Sequence, residues 1–271
     1  MPMSSSSAPL HPRGFGSVLA ATLRTTIALM LREMSTRFGR TPGGYLWALL
    51  EPTAVVLVLA IGFSLMLRNP SLGTSFLLFY ATGYLPLKLF MQVSNMVARA
   101  ISFSRPLLQY PTVTWVDAVL ARFLLNVLTE LLVAVIVLGG IFLVIDTHAV
   151  IRIGPIFASI GLIVVLALGV GVLNVVPFGL FPAWERLWSI ATRPLVLASG
   201  LFYIYEDLPQ TAQEILWFNP LMHLTGLLRS GFYPMYEAAY ASPVYVLLFG
   251  LVPLFFGVLM LSRFHLDLLQ D

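Results

Sequence analysis

SFLLFYATGYLPLKLFMQVSNMV, residues Ser75 to Val97, is apolar for long enough to cross a bilayer, yet it carries Lys88, the only lysine in the chain. A helix needs about 20 predominantly apolar residues to span the hydrocarbon core. A charge at mid-membrane costs about 2.5–3.5 kcal/mol on insertion scales. Lys88 is therefore expected to face a helix bundle or a wet pathway rather than lipid. The same lysine excludes a function. A phosphate-cradling P-loop needs Gly-Lys-Ser/Thr, and here the one lysine lies between Leu87 and Leu89. A multi-span chain without its own nucleotide site uses an ion gradient or an ATPase carried on another chain.

Outside this segment the pattern repeats. The 271 residues are 59% hydrophobic and 10% charged, where a soluble domain carries roughly 25% charged residues. An integral membrane protein follows, all-α in class. Six segments are long enough to span: Trp47–Leu67, Ser75–Val97, Ala118–Ile145, Gly154–Phe181, Leu187–Tyr205 and Val244–Leu261. An even number puts both termini on one side. Arg13, Arg24, Arg32, Arg37, Arg40, Arg99, Arg105, Arg186 and Arg263 collect on that side, against Arg68, Arg152 and Arg229 on the other. By the positive-inside bias both termini are cytoplasmic. With no cysteine, disulfides, thiolate metal sites and cysteine nucleophiles are excluded.

Residues 1–14, with four consecutive serines, read as a disordered cytoplasmic tail. Residues 15–40 read as an amphipathic helix, with Leu19, Leu23, Ile27, Met30, Met34 and Phe38 on one face. Arg24 and Arg32 interrupt it, so it should lie along the cytoplasmic interface and not span. Residues 41–271 form the six-span domain. Its longest connection, Glu206–Ser242, holds two short helical stretches, Thr211–Trp217 and Leu221–Tyr233, the second opened by Asn219-Pro220. Their apolar content suggests half-helices dipping back into the outer leaflet over about 207–233, where irregular backbone must pack on protein or line water. A surface helix-turn-helix is the alternative.

The amphipathic helix, the lead-in Gly43-Gly44-Tyr45-Leu46-Trp47-Ala48-Leu49-Leu50-Glu51-Pro52, six spans, and Trp217-Phe218-Asn219-Pro220-Leu221 followed by Arg229 and Tyr233 resemble the membrane subunits of ABC-type polysaccharide exporters. The likeness is greatest to bacterial capsular-polysaccharide permeases, with O-antigen and teichoic-acid permeases as near relatives. It covers nearly the whole chain beyond residue 15. The resemblance implies a type-2 ABC exporter fold in the bacterial inner membrane. It implies a homodimer served by two copies of a cytoplasmic ATPase, which binds the ATP and Mg, so that this chain needs no cofactor of its own. The implied cargo is a lipid-linked polysaccharide, passed on in capsule systems to periplasmic and outer-membrane partners. Nothing suggests nucleic acid.

Phe76, Tyr80, Tyr84 and Lys88 recur every four residues and share one helical face. Aromatic rings support the C–H faces of sugars without fixing a register, which suits a sliding polymer. The competing reading is a packing stripe, with Lys88 turned to an acidic neighbour such as Glu130. Arg122, Asn126 and Glu130 form a similar stripe on the next span, suited to helix–helix pairing. Glu51 and Arg193 lie near cytoplasmic ends, where they could pair or line an entrance. Tyr203, Tyr205, Trp217, Tyr233 and Tyr236 cluster at the outer boundary, as an interfacial belt or an exit gate. The loop Ala98–Asp117, with Arg99, Arg105, Pro106 and Tyr110, is the candidate for coupling to an ATPase, through a short helix over Ile101–Tyr110. No histidine spacing suits a metal, and no serine–histidine–carboxylate set can be assembled. Two other classes remain: a secondary transporter with Glu51 or Glu130 carrying protons, against which no inverted repeat of broken spans is visible, and an embedded enzyme acting on lipid-linked sugars. A drug or small-lipid exporter would change only the cargo.

Overall fold

A computed structural model describes residues 15–38, 43–110, 113–145 and 151–270. The expected tail at 1–14 and His148 lie outside the described residues. Among those described the chain is helical, with no strand: α1 (Phe15–Phe38), α2 (Gly44–Ser64), α3 (Phe76–Ala98), α4 (Ala100–Leu108), α5 (Trp115–Val144), α6 (Ile153–Leu180), α7 (Pro182–Ala198), a 3-10 turn (Tyr205–Asp207), α8 (Gln210–Leu216), α9 (Pro220–Phe232), α10 (Pro243–Phe264) and α11 (Asp267–Gln270).

Local chemistry sets the helix starts. Ser75 Oγ accepts from Leu78 N–H at the head of α3, and Thr114 and Asp117 form a reciprocal capping box on α5. Asn219 Oδ1 accepts from Leu221 N–H with Pro220 at the first position of α9. The core lies where α3 and α6 pack together, with α9 and α10 against α6. α6 and α10 approach backbone to backbone: a Cβ on Gly169 would collide with the carbonyl oxygen of Gly250. In lipid, where burial of apolar surface drives nothing, such close contact supplies the packing energy.

Among the described residues five helices are long and apolar enough to span: Leu46–Ser64, Phe76–Leu108, Trp115–Val144, Ile153–Leu180 and Pro243–Phe264. The expected fifth span, Leu187–Tyr205, is the one that departs. It is helical only within α7, which begins earlier, at Pro182, and stops at Ala198. Seventeen residues make about 25 Å of helix, short of a hydrocarbon core of about 30 Å. The helix stops because its last carbonyls find side-chain donors: Asn219 Nδ2 donates to Ala198 O at 2.8 Å and Tyr203 Oη to Leu197 O at 2.7 Å. Gly200 then turns the chain with φ at 72°. Leu201 to Ile204 read as span by hydropathy, but their backbone is used otherwise.

The amphipathic N-terminal helix is present as α1 over Phe15–Phe38; its expected last residues, 39 and 40, lie outside the described residues. Its polar side, Thr26 and Glu33, is buried against α5, while Leu23, Ile27 and Leu31 stay exposed. The two short helical stretches of the long connection are α8, which has no buried residue, and α9, which is buried over most of its length.

Candidate functional site

Three polar constellations interrupt the apolar bundle. The first surrounds Lys88. α3 carries its amino group to 3.4 Å from Glu51 Oε2 of α2 and 3.9 Å from Glu130 Oε2 of α5. One cation thus bridges three helices. Lys88 and Glu130 are nearly enclosed, whereas 65% of the Glu51 side chain is exposed, so the cluster opens outward along α2. Tyr84 is half-buried and within electrostatic range of both carboxylates.

The aromatic stripe divides at this point. Phe76 lines a cavity of about 330 Å³ with Leu57, Ile61 and Leu77. Tyr80, expected beside it, is shut in the core at 1% exposure, with its ring 5.1 Å from Phe63 and 6.5 Å from Phe202. Arg193 does not meet Glu51. It is exposed on α7 and makes no ion pair among the described residues.

The second constellation is cytoplasmic. Arg122 of α5, buried, pairs with Glu33 of α1 at 3.2 Å, donates to Met96 O of α3 at 3.3 Å, and stacks 3.9 Å over Phe103 of α4. It is a junction of four helices and does not snorkel. Asn126 Nδ2 turns back to Arg122 O. Beside it, Arg99 pairs with Glu185 of α7 at 2.6 Å, and Arg105 Nη2 donates to Leu268 O of α11 at 2.7 Å. Pro106 and Tyr110 face outward.

The third lies at the outer end. Arg229 of α9, counted from the sequence among the cations of the outer side, is 2% exposed. Its guanidinium donates to Tyr203 O at 2.8 Å, Leu201 O at 3.3 Å and Phe79 O at 3.4 Å, and lies 4.1 Å over the Phe79 ring. Tyr205 stacks on Tyr240 at 3.9 Å, and Tyr236 Oη donates to Glu206 at 3.0 Å. Burial pushes the Tyr236 hydroxyl well up, keeping it a donor. Trp217 packs against His223 and Tyr245. Tyr233 lies over Gly73 and lines, with Tyr236, Met235 and Leu72, a cavity of about 410 Å³.

No group of three or more histidine or acidic side chains among the described residues could hold a metal ion. Sequence reasoning missed Glu33, the acid on the polar side of an otherwise basic amphipathic helix, and that isolation was a usable signal. It also missed the burial of Arg229. Sequence spacing cannot show that three carbonyls converge from two remote segments.

The ABC-2 type transporter family matches this chain over residues 24–233. The polysialic acid transport protein KpsM of Escherichia coli is 30% identical over 234 residues, covering 86% of this chain and 91% of that protein. The capsule polysaccharide export inner-membrane protein CtrC of Neisseria meningitidis serogroup A is 28% identical over 257 residues, covering 94% and 96%. The protein of the same description from Haemophilus influenzae, BexB, is 24% identical over 250 residues, covering 92% and 94%.

Proposed function

This chain belongs to the ABC-2 type transporter membrane family, and from that membership we propose that it is the transmembrane subunit of an ATP-driven capsular-polysaccharide exporter of a bacterial inner membrane. Two copies form the conduit, a cytoplasmic ABC ATPase on each binds ATP and Mg and supplies the driving force, and the cargo is a lipid-linked glycan moved from cytoplasm to periplasm. The observation that carries this reading is similarity to capsule-export inner-membrane proteins along nearly the whole chain.

The exposed apolar surface of the bundle supports it. α2 and α7 expose large apolar faces, Leu46, Trp47, Val58 and Ile61 on one and Leu187, Ile190 and Leu197 on the other. A second copy and lipid are their natural occupants. α7 with the α8–α9 return serves as the sixth membrane crossing, its outer half replaced by the buried α9. Tyr84, Glu51 and Lys88 line the route beside α2, and Arg193 lines its cytoplasmic mouth. Tyr203, Tyr205, Trp217 and Tyr233 form the outer gate around Arg229. α4 meets the ATPase.

The test is purification with the cognate ATPase in mild detergent, followed by transport in vesicles. Vanadate-sensitive export that ignores an imposed proton gradient, with glycolipid bound to the purified complex, is expected. Export by this chain alone, driven by an ion gradient, overturns the proposal in favour of a secondary transporter using Glu51 and Glu130.

A further inference from the structure

α4 follows α3 after a single break at Arg99. Ser102, Phe103 and Pro106 share one exposed face of α4, and Gln109 and Tyr110, in the turn that follows it, are exposed as well and extend an uninterrupted patch at the end of the helix. That face is uncharged. The two cations that the sequence offers as docking contacts are committed elsewhere: Arg99 to Glu185 of α7, Arg105 to the Leu268 carbonyl of α11.

The end of the chain is held from two sides. Leu268 is 3% exposed. On one side its carbonyl takes the Arg105 guanidinium of α4. On the other its side chain fills the notch left by Gly179 near the end of α6, where any Cβ would collide with Leu268 Cδ2. A helix of four residues would fray if left free. Here one charge-assisted hydrogen bond and one fitted side chain fix it between α6 and α4. Beside this contact a cavity of about 350 Å³ separates α4 from the start of α5, lined by Ile101, Leu108, Trp115, His265, Leu266 and Leu269. α11 therefore spans a loosely filled gap and props α4 against the bundle.

We infer that α11 is a strut that sets the orientation of α4 for its ATPase partner, with Arg105 as a positioning residue and with the uncharged face, Phe103 and Tyr110 foremost, making the contact. The inference rests on the reading of α4 as the ATPase-coupling helix. It gives the partner a chemistry: an apolar, aromatic-accepting groove, whose grip on this chain depends little on salt. Removing the strut leaves the face intact but loose, so the ATPase still binds and its stroke is transmitted poorly.

The experiment uses the assembled transporter with two sets of variants. Phe103→Ala with Tyr110→Ala is expected to strip the ATPase during purification. Deletion of residues 266–271, Arg105→Ala and Gly179→Val are each expected to retain the ATPase while lowering export per ATP hydrolysed about tenfold, within the 5–150-fold range of ordinary site-to-site coupling. Arg105→Lys, which keeps a donor for the Leu268 carbonyl, should restore most of it. Gly179→Ala combined with Leu268→Ala should do better than Gly179→Ala alone, because the notch is relieved. Full ATPase retention by the Phe103/Tyr110 variant overturns the docking reading and the strut with it. Loss of binding there, together with normal coupling in the tail-deleted and Arg105→Ala proteins, overturns the strut alone.

Discussion

Glu33 of α1 and Arg122 of α5 form an ion pair at 3.2 Å, each with about 6% of its side chain exposed. The pair joins the helix expected to lie on the membrane surface to the interior of the bundle. Breaking a buried pair leaves an uncompensated charge and costs about 3–5 kcal/mol, whereas replacing both partners by apolar groups is often neutral or better. Arg122→Met and Glu33→Leu are each expected to lower the thermal midpoint in detergent and to expose α1 to protease, and the double variant to recover much of both losses. Midpoints from intrinsic fluorescence and cleavage rates within α1 give the comparison. Additive losses in the double variant would mean that the two side chains act separately.

Lys88 meets Glu51 and Glu130 at 3.4 and 3.9 Å. Lys88→Ala removes the one cation that Glu51 and Glu130 share and unties α3 from α2 and α5 at that point. Export is expected to fall while membrane insertion and ATPase association remain, because neither the helix ends nor α4 are touched. Glu51→Gln, which removes the exposed partner alone, should affect export less than Glu130→Gln. Vesicle transport normalised to co-purified ATPase measures both. Wild-type export by Lys88→Ala would reduce the cluster to a packing contact.

The helices were legible where hydropathy and caps coincide. α3, α5, α6 and α10 follow their expected spans closely, and Asn219-Pro220 marked the start of α9. α7 was misjudged at its end because Leu201, Phe202, Tyr203 and Ile204 are as apolar as any span. What ends the helix there is a hydrogen bond from Asn219, 21 residues away. The candidate site shows the same limit. Spacing put Lys88 on a shared face with Tyr84 and named Glu130 as its possible partner. It could not show that Tyr80, one turn along, would be enclosed by Phe63 and Phe202. Nor could it show that Arg105 would turn inward to a backbone carbonyl at the far end of the chain.

Arg229 holds α9 to α3 and to the segment after α7 through three carbonyls. Hydrogen bonds to charged groups contribute about 1.5–3 kcal/mol each. A lysine carries the charge without the planar fork that reaches several acceptors. Arg229→Lys is therefore expected to be nearly as damaging as Arg229→Met, both lowering the thermal midpoint and loosening the outer end. Hydrogen exchange over residues 199–208 should rise in both. Protection unchanged in Arg229→Met would show that the carbonyls are satisfied without the guanidinium.

His223 fixes the other end of α9. Its Nε2 donates to Trp217 O at 2.6 Å and its Nδ1 accepts from Ser242 N–H at 3.1 Å, so the neutral ring is fully used. His223→Phe keeps a ring of similar bulk and loses both hydrogen bonds, so the α8–α9 return is expected to loosen from α10. Hydrogen exchange over residues 217–223 and 242–246 should rise, and the thermal midpoint in detergent should fall. Unchanged protection would show that Trp217 O and Ser242 N–H are satisfied without the imidazole.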